Sequence, residues 1–232
     1  MSKPMATLEV SIEDSAERQS LVTVVHFLSS MGWTPATSSN FSVRSKAGGF
    51  WISVSGLDKS QLRTEDFLRV SVDSPLKQPL PVTDLKPSAE TALHEMIYRL
   101  YPSANTVVHI HSPNATVLSK WARTNREKIQ ADYDMLAFED YEILKGFSGV
   151  ASHLDKVSIP VFDNNQDMTA LVQQIEPVLQ THSPQNSCYG FLLAGHGLYT
   201  WGDTPPAAQR HAEVFEFLFD CQLKWIQLKK GV

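Results

Sequence analysis

Two histidines separated by one residue stand in an apolar segment of this chain, residues 106–113. The valines and isoleucine of this segment favour a β-strand, and a strand sends residues i and i+2 to the same face. His109 and His111 are therefore predicted to point the same way, with Ile110 turned into the core. Buried imidazoles are costly unless their lone pairs are used, and a divalent transition metal uses them well. The alternative is one hydrogen-bonded core histidine and one surface histidine that alternate by chance.

A third histidine, His196, stands between two glycines in the apolar stretch 190–202. The stretch is predicted to be a buried strand that turns through Gly195-His196-Gly197 into another strand. Glycines on both sides allow the backbone to approach its neighbours closely. Three neutral imidazoles with one open coordination position are the usual design of a catalytic zinc site. His196 is therefore a candidate third ligand.

Two glutamates are candidates for acid–base chemistry. Glu90 ends the segment 86–90, which opens a predicted helix with Ser88 as its N-cap. A hydroxyl, free backbone N–H groups and the positive helix end would meet there and suit a phosphate. A carboxylate in a first turn is also favoured for structural reasons, so capping is the simpler interpretation of Glu90 on these residues alone. Glu142 lies in a less periodic stretch, where an isolated glutamate is normally a surface residue.

Small polar residues flank two short predicted strands. Ser39 and Asn40 precede the strand 41–44, and Ser55 and Gly56 follow the strand 50–54. Such residues, with backbone N–H groups beside them, can line a pocket for an anionic group. Ordinary turn chemistry is the alternative, and it is the commoner outcome for such clusters.

Helical and strand patterns alternate along the rest of the chain. Residues 1–10 are predicted to be a flexible tail. Helices are predicted from about 11 to 31, from Ser88 to Leu100, and over 113–121, 167–181 and 204–229, with further strands over 67–72 and 157–162. No linker rich in Pro, Gly and Ser divides the 232 residues, so we predict one domain, 1–232.

Composition excludes several classes of partner. The net charge is −5, from 20 Lys and Arg against 25 Asp and Glu, without a basic run that would follow a phosphate backbone, so nucleic acid is not an expected partner. The N-terminus lacks a leader pattern, and charged residues interrupt the apolar stretch 214–228, so no membrane segment is expected. Cys188 and Cys221 are the only cysteines and form no CxxC motif, which favours a reducing cytoplasm.

The order of these motifs resembles the class II aldolase/adducin family over nearly the whole chain. The resemblance rests on the Ser-Asn and Ser-Gly turns, on Lys-Pro-Ser-Ala-Glu, on His-Ile-His-Ser and on Gly-His-Gly-Leu. It implies an α/β fold, an α/β/α domain whose central sheet is mainly antiparallel and flanked by helices. It also implies a homotetramer with active sites near subunit contacts.

The resemblance also implies roles for the candidate residues. His109, His111 and His196 would hold one zinc ion per subunit. A sugar-phosphate substrate would place its phosphate beside five residues, which are Ser39, Asn40, Ser55, Gly56 and Ser88. Aldolases of the family use the glutamate that corresponds to Glu90 as the base, whereas dehydratases with another residue there use the one that corresponds to Glu142. This chain has both, and we favour Glu142 with Glu90 second.

Local matches over 142–146, 159–164 and 194–202 favour a dehydratase branch of the family that acts on a methylthio-substituted pentulose phosphate. The expected chemistry is loss of water from a ketose 1-phosphate with its carbon chain intact. The alternatives are a sugar-phosphate aldolase or epimerase on the same scaffold and, further away, a non-enzymatic adducin-like interaction module.

Overall fold

The computed structural model describes residues 14–70, 86–124, 133–181 and 188–230. The helices are α1 Ser15–Ser30, α2 Thr91–Leu100, α3 Pro113–Thr124, α4 Met168–Thr181 and α5 Pro205–Lys230. The strands are β1 Asn40–Arg44, β2 Phe50–Ser53, β3 Phe67–Val70, β4 Thr106–Ile110, β5 Tyr133–Phe138, β6 Val157–Phe162, β7 Gly190–Leu193 and β8 Gly197–Gly202. Three short 3₁₀ helices span Lys59–Gln61, Thr64–Asp66 and Glu142–Gly146.

The eight strands of the described residues form one sheet in the order β3-β2-β1-β4-β8-β7-β6-β5. Only β6 and β7 run parallel, and every other neighbouring pair is antiparallel. The sheet is therefore mixed but mostly antiparallel. This confirms the predicted α/β fold with a mainly antiparallel central sheet.

Helices cover both faces of the sheet. One apolar core packs α1, α3 and α5 against the first face, and a second core packs α2 and α4 against the other. Side chains alternate between the two cores along each strand. In β4, Val108 and Ile110 pack in the first core and Val107 packs in the second. Ile110 is fully buried, as the alternation predicted, and His109 is on the face of Val107.

One helix near the predicted site begins slightly later than the sequence suggested. The helix expected to begin at Ser88 begins at Thr91, with Glu90 as its N-cap. Ser88 is not the N-cap, because Thr91 donates its backbone N–H and its hydroxyl to the Ser88 carbonyl in a turn that precedes the helix. The strand β5, within the stretch described as less periodic, was not predicted.

Parts of several predictions lie outside the described residues. These parts are the flexible tail 1–10, the start of the first helix at 11–13 and the end of the strand 67–72. In the described part of the chain, no helix combines the length and apolarity needed to cross a lipid bilayer.

Candidate metal centre and active site

The three candidate histidines meet at one end of the sheet. His109 lies in β4, His111 follows its end, and His196 lies in the turn between β7 and β8. Nε2 of His109 is 2.7 Å from Nε2 of His111 and 3.4 Å from Nε2 of His196. One ligand nitrogen from each ring lies within 4.8 Å of the other two, a spacing that a single metal ion could bridge.

Two glycines bring His196 to β4. A Cβ atom on Gly197 would lie 2.2 Å from the Ile110 carbonyl oxygen and 3.2 Å from Cε1 of His109. Any side chain at this position would therefore push β8 away from β4. Gly195 has a φ of +65°, a left-handed conformation that glycine adopts without strain. The turn thus needs both glycines to place the third imidazole beside the other two.

Hydrogen bonds to the outer ring nitrogens orient two of the imidazoles. Nδ1 of His109 lies 3.0 Å from the Leu198 carbonyl oxygen, and Nδ1 of His196 lies 3.2 Å from Oδ1 of Asn164. Both oxygens are acceptors, so each Nδ1 carries the proton and each Nε2 keeps its lone pair. These lone pairs converge on the space between the rings.

Burial keeps two of the three imidazoles uncharged. It holds the pKa of His109 well below the usual range, and the neighbouring His111 and His196 lower it further. Burial, with His196 beside it, lowers the pKa of His111 to about 4. Both rings are therefore neutral at pH 7, the form that binds a metal. Converging neutral nitrogen donors fit a divalent transition metal.

Glu90 lies against this cluster. Its Oε1 is 3.3 Å from Nε2 of His196, and its Oε2 is 3.4 Å from Nε2 of His109. Its side chain makes no capping hydrogen bond to α2, so the capping interpretation was wrong. Asn40, which pairs with His109 across β1 and β4, donates its Nδ2 to Glu90 Oε2 at 2.6 Å. The carboxylate is thus tied to the sheet and faces the imidazoles.

Glu142 has a different environment within the chain. It begins the 3₁₀ helix Glu142–Gly146, and its side chain is 75% exposed. Its carboxylate forms an ion pair with Lys145 and lies 4.0 Å from Nδ1 of His153. The hydrogen bond from Lys145 lowers the pKa of Glu142, which is therefore a carboxylate at pH 7. These contacts do not connect Glu142 to the three histidines of the same chain.

The five residues assigned to the phosphate side have separate environments. Ser39 has a φ of +74°, and its buried hydroxyl has no hydrogen-bond partner among the described residues. The Asn40 side chain donates its amide N–H to Glu90, as described above. Ser55 and Gly56 are exposed, and the Ser55 backbone N–H donates to the carbonyl of Lys86. The Ser88 hydroxyl accepts the Glu90 backbone N–H at 3.2 Å. Ser39 therefore offers an unused polar group, whereas Asn40 and Ser88 act on Glu90.

Sequence reasoning missed Lys59, which the structure buries between two of these loops. Its ammonium group donates to the Leu57 carbonyl at 2.8 Å and to the Thr37 carbonyl at 3.2 Å. Burial lowers the pKa of Lys59, and its charge contributes to the low pKa of His111. An ammonium has three donors, so two carbonyls leave one for a further acceptor. No pattern in the sequence distinguished this lysine from a surface residue.

Asn164 was also missed as a functional candidate, although its segment contributed to the family resemblance. It orients His196, as described above, while the neighbouring Asp163 forms an ion pair with Arg123 of α3. Thr116 of α3 holds the other side of the turn by donating its hydroxyl to the His196 carbonyl at 3.1 Å. The third imidazole is therefore fixed from two directions.

The model of the class II aldolase and adducin N-terminal domain matches residues 19–223. The chain belongs to this family. A relative from Klebsiella pneumoniae subsp. pneumoniae, named methylthioribulose-1-phosphate dehydratase, is 46% identical over 203 residues, 88% of this chain and 93% of the relative. A relative of the same name from Pseudomonas syringae pv. syringae is 45% identical over 198 residues, 85% of this chain and 89% of the relative.

A solved structure adds a second branch of the same family. The L-fuculose-1-phosphate aldolase of Thermus thermophilus superposes with a TM-score of 0.68 and 25% sequence identity. The match covers 94% of this chain and 98% of the aldolase. The class II aldolase fold thus extends over nearly all of the chain.

Proposed function

We propose that this protein is a methylthioribulose-1-phosphate dehydratase of methionine salvage. It would convert 5-methylthioribulose 1-phosphate into 2,3-diketo-5-methylthiopentyl 1-phosphate and water. The observation that carries the proposal is a carboxylate held against three converging imidazoles, in a chain about 45% identical to two relatives of that name. That arrangement can remove a proton next to a carbonyl group, which is the first step that the dehydration requires.

The metal that we propose is one zinc ion per chain, held by His109, His111 and His196. Three imidazoles that leave a coordination position free are typical of catalytic zinc. When bound, zinc would supply a Lewis acid for the C2 carbonyl oxygen of the substrate. The hydrogen bonds to Leu198 and Asn164 orient Nε2 of His109 and of His196 for this purpose.

Glu90 is the residue that we propose for the proton transfer. Its carboxylate takes the proton from C3, and the electron pair left behind forms the enediolate. The same carboxyl group then returns the proton to the C4 hydroxyl, which leaves as water while the C3–C4 double bond forms. The resulting enol gains a proton at C4, loses its hydroxyl proton and becomes the C3 ketone, which completes the diketone.

The phosphate group would bind on the side of Ser39 and Lys59. The Ser39 hydroxyl is buried without a partner among the described residues, and the Lys59 ammonium has a donor left after its two carbonyl contacts. Ser55, Gly56 and Ser88 remain in the proposed phosphate site as the neighbouring loop and turn. We also propose Asn40 as part of this site, and its contact with Glu90 supports that proposal.

The first test is a product assay. The zinc-loaded protein is incubated with 5-methylthioribulose 1-phosphate, and the products are identified by mass spectrometry. A product lighter by one water, with its five carbons intact, is the expected result. Cleavage between C3 and C4 into two fragments would instead indicate an aldolase, the candidate that the Thermus thermophilus structure favours. Unchanged substrate would contradict the proposal.

A second test separates the two glutamates, since the sequence favoured Glu142. Glu90→Gln and Glu142→Gln are compared for turnover and for bound zinc. We expect Glu90→Gln to abolish turnover with zinc retained. Loss of turnover in Glu142→Gln alone would overturn this assignment.

Loss of turnover in both variants calls for a mixing experiment. We propose that the chain forms a homotetramer with heterologous contacts, so one site can draw on two subunits. If Glu142 serves the site of a neighbouring subunit, tetramers mixed at random from the two variants recover about a quarter of the sites. Mixed tetramers without activity would place both glutamates in the same subunit's site.

Cytoplasmic location is part of the proposal. The free thiols of Cys188 and Cys221 support it, because disulfides are rare in that compartment.

A further inference from the structure

A chain of buried polar side chains leads from the interior of the molecule to Glu90. The Tyr98 hydroxyl lies 2.8 Å from Ser42 Oγ, which lies 2.6 Å from Nδ1 of His94. Nε2 of His94 lies 2.5 Å from Oδ1 of Asn40, and Asn40 Nδ2 reaches Glu90 Oε2 at 2.6 Å. The four side chains that lead to Glu90 are all buried. We refer to Tyr98, Ser42, His94 and Asn40 as the relay.

The direction of every hydrogen bond in the relay follows from its end at Glu90. A carboxylate only accepts, so Asn40 turns its amide nitrogen to Glu90 and its carbonyl oxygen to His94. That oxygen also only accepts, so the proton of His94 is on Nε2. Complete burial lowers the pKa of His94 to about 3, so the ring is neutral and its Nδ1 accepts the Ser42 hydroxyl proton.

The hydrogen bonds at the Tyr98 end of the relay are determined in the same way. Because Ser42 donates its proton to His94, its oxygen accepts the proton of Tyr98. Burial raises the pKa of Tyr98 and keeps it protonated. Its other acceptor, the Asn105 carbonyl, is farther away at 3.5 Å. All four donors therefore point toward Glu90, and each fixes the orientation of the next.

Glu90 needs this constraint because of its neighbours. A carboxylate beside three histidines is itself a good ligand for a transition metal and could take the open coordination position. Asn40 occupies Oε2, while Oε1 faces His196. That bond determines which oxygen faces His196.

We propose that the relay is a positioning device that fixes the rotation of the Glu90 carboxylate at the three histidines, with Oε2 held by Asn40 and Oε1 left toward His196 as the basic oxygen. The proposal rests on the proposed function for the identity of the base. His94, which lies one turn along α2 from Glu90, is the central member, because both of its ring nitrogens are used. His94 does not touch the reacting atoms in this scheme and acts through Asn40 alone.

The first test needs no variant and no metal. In the ¹⁵N-labelled metal-free protein, the nitrogen chemical shifts of His94 are measured by NMR. A neutral ring protonated on Nε2 is the expected result. A ring protonated on Nδ1, or an imidazolium, would reverse at least one bond and overturn the relay.

The second test compares His94→Phe with His94→Gln. Phenylalanine retains ring volume without polar atoms, whereas the glutamine amide nitrogen can replace Nε2 as the donor to Asn40. With 5-methylthioribulose 1-phosphate, we expect His94→Phe to lower kcat by about 10–100-fold with KM nearly unchanged, and His94→Gln to recover most of it. Equal losses in both folded variants, or none in His94→Phe, would contradict the positioning role.

A third measurement uses cobalt in place of zinc. The visible spectrum of Co²⁺ reports its coordination. Both Glu90 oxygens lie within 3.4 Å of ligand nitrogens, so a carboxylate that turns in His94→Phe should change the spectrum. Glu90→Gln should give the same spectrum with and without His94→Phe, because His94 acts through Glu90. A His94→Phe spectrum identical to that of the wild type would overturn the proposal. This measurement and the NMR test stay decisive even if the wild-type protein fails to dehydrate the substrate, so failure of the function is distinguishable from failure of the relay.

Discussion

The two ends of β8 bury histidines in different ways. Near its start, the Nε2 atoms of His109, His111 and His196 face one another. Near its end, His211 lies 2.7 Å from the Trp201 carbonyl through Nδ1, and its Nε2 accepts the backbone N–H of Ser148 at 3.1 Å. Burial lowers the pKa of His211 to about 4, much as it does for His111. Burial and a low pKa therefore do not identify a metal site, whereas converging lone pairs do.

The strongest test of this comparison removes one histidine from each end. His196→Ala should leave less than about a tenth of the bound metal and lower kcat/KM by at least about 10³-fold, because two imidazoles hold zinc far more weakly than three. Metal content is measured by atomic emission and turnover by the product assay. His211→Gln is the matched control and should retain full metal content. Equal metal loss in both variants would invalidate the distinction.

A smaller effect is expected from the residue that orients His196. Asn164→Ala removes the acceptor for Nδ1, and loss of such a partner typically costs about 10–100-fold in metal affinity. Competition with a chromophoric chelator measures the affinity. Asn165→Ala is the control, since Asn165 accepts from the Asp167 backbone instead. Unchanged affinity in Asn164→Ala would show that the turn alone positions His196.

The smallest effect concerns the pH dependence of folding at the His211 end. The pKa of His211 is about 4 in the folded chain and about 6.5 when unfolded, so the unfolded state binds the proton more readily. Its contribution to stability is complete above pH 6.5 and is lost as the pH falls toward 4. His211→Gln should therefore lose about 2 kcal/mol less than the wild type over this interval.

Urea denaturation of the metal-free proteins at pH 7, 5.5 and 4.5 measures this difference. The control is His153→Gln, because the His153 side chain is 45% exposed. Parallel stability curves for the wild type and His211→Gln would refute the pH prediction.

Local patterns in the sequence predicted the histidine cluster, because strand alternation and flanking glycines act over a few residues. His109 and His196 come together as β4 pairs with β8. The metal, the tetramer and the single domain stay predictions.

The environment of Glu90 could not be predicted from these local patterns. Its partner Asn40 is 50 residues away, and their contact depends on the strand register that sets Asn40 opposite His109. His94 and Lys59 were missed for the same reason, since a histidine and a lysine in amphipathic segments resemble surface residues until their distant partners are known. Long-range packing decided which polar residues became functional candidates.

The pairing of β4 with β8 also bears on how long the folded chain survives. His109 and His196 are 87 residues apart, so an unfolded chain presents the adjacent pair without the third imidazole. A metal ion held by all three binds the native state preferentially and adds its binding free energy to that of unfolding. The complete site exists only once β4 and β8 have paired, so for a transition state without that pairing the gain slows unfolding rather than speeding folding. The side chains that prepare the chemistry thereby lengthen the lifetime of the fold.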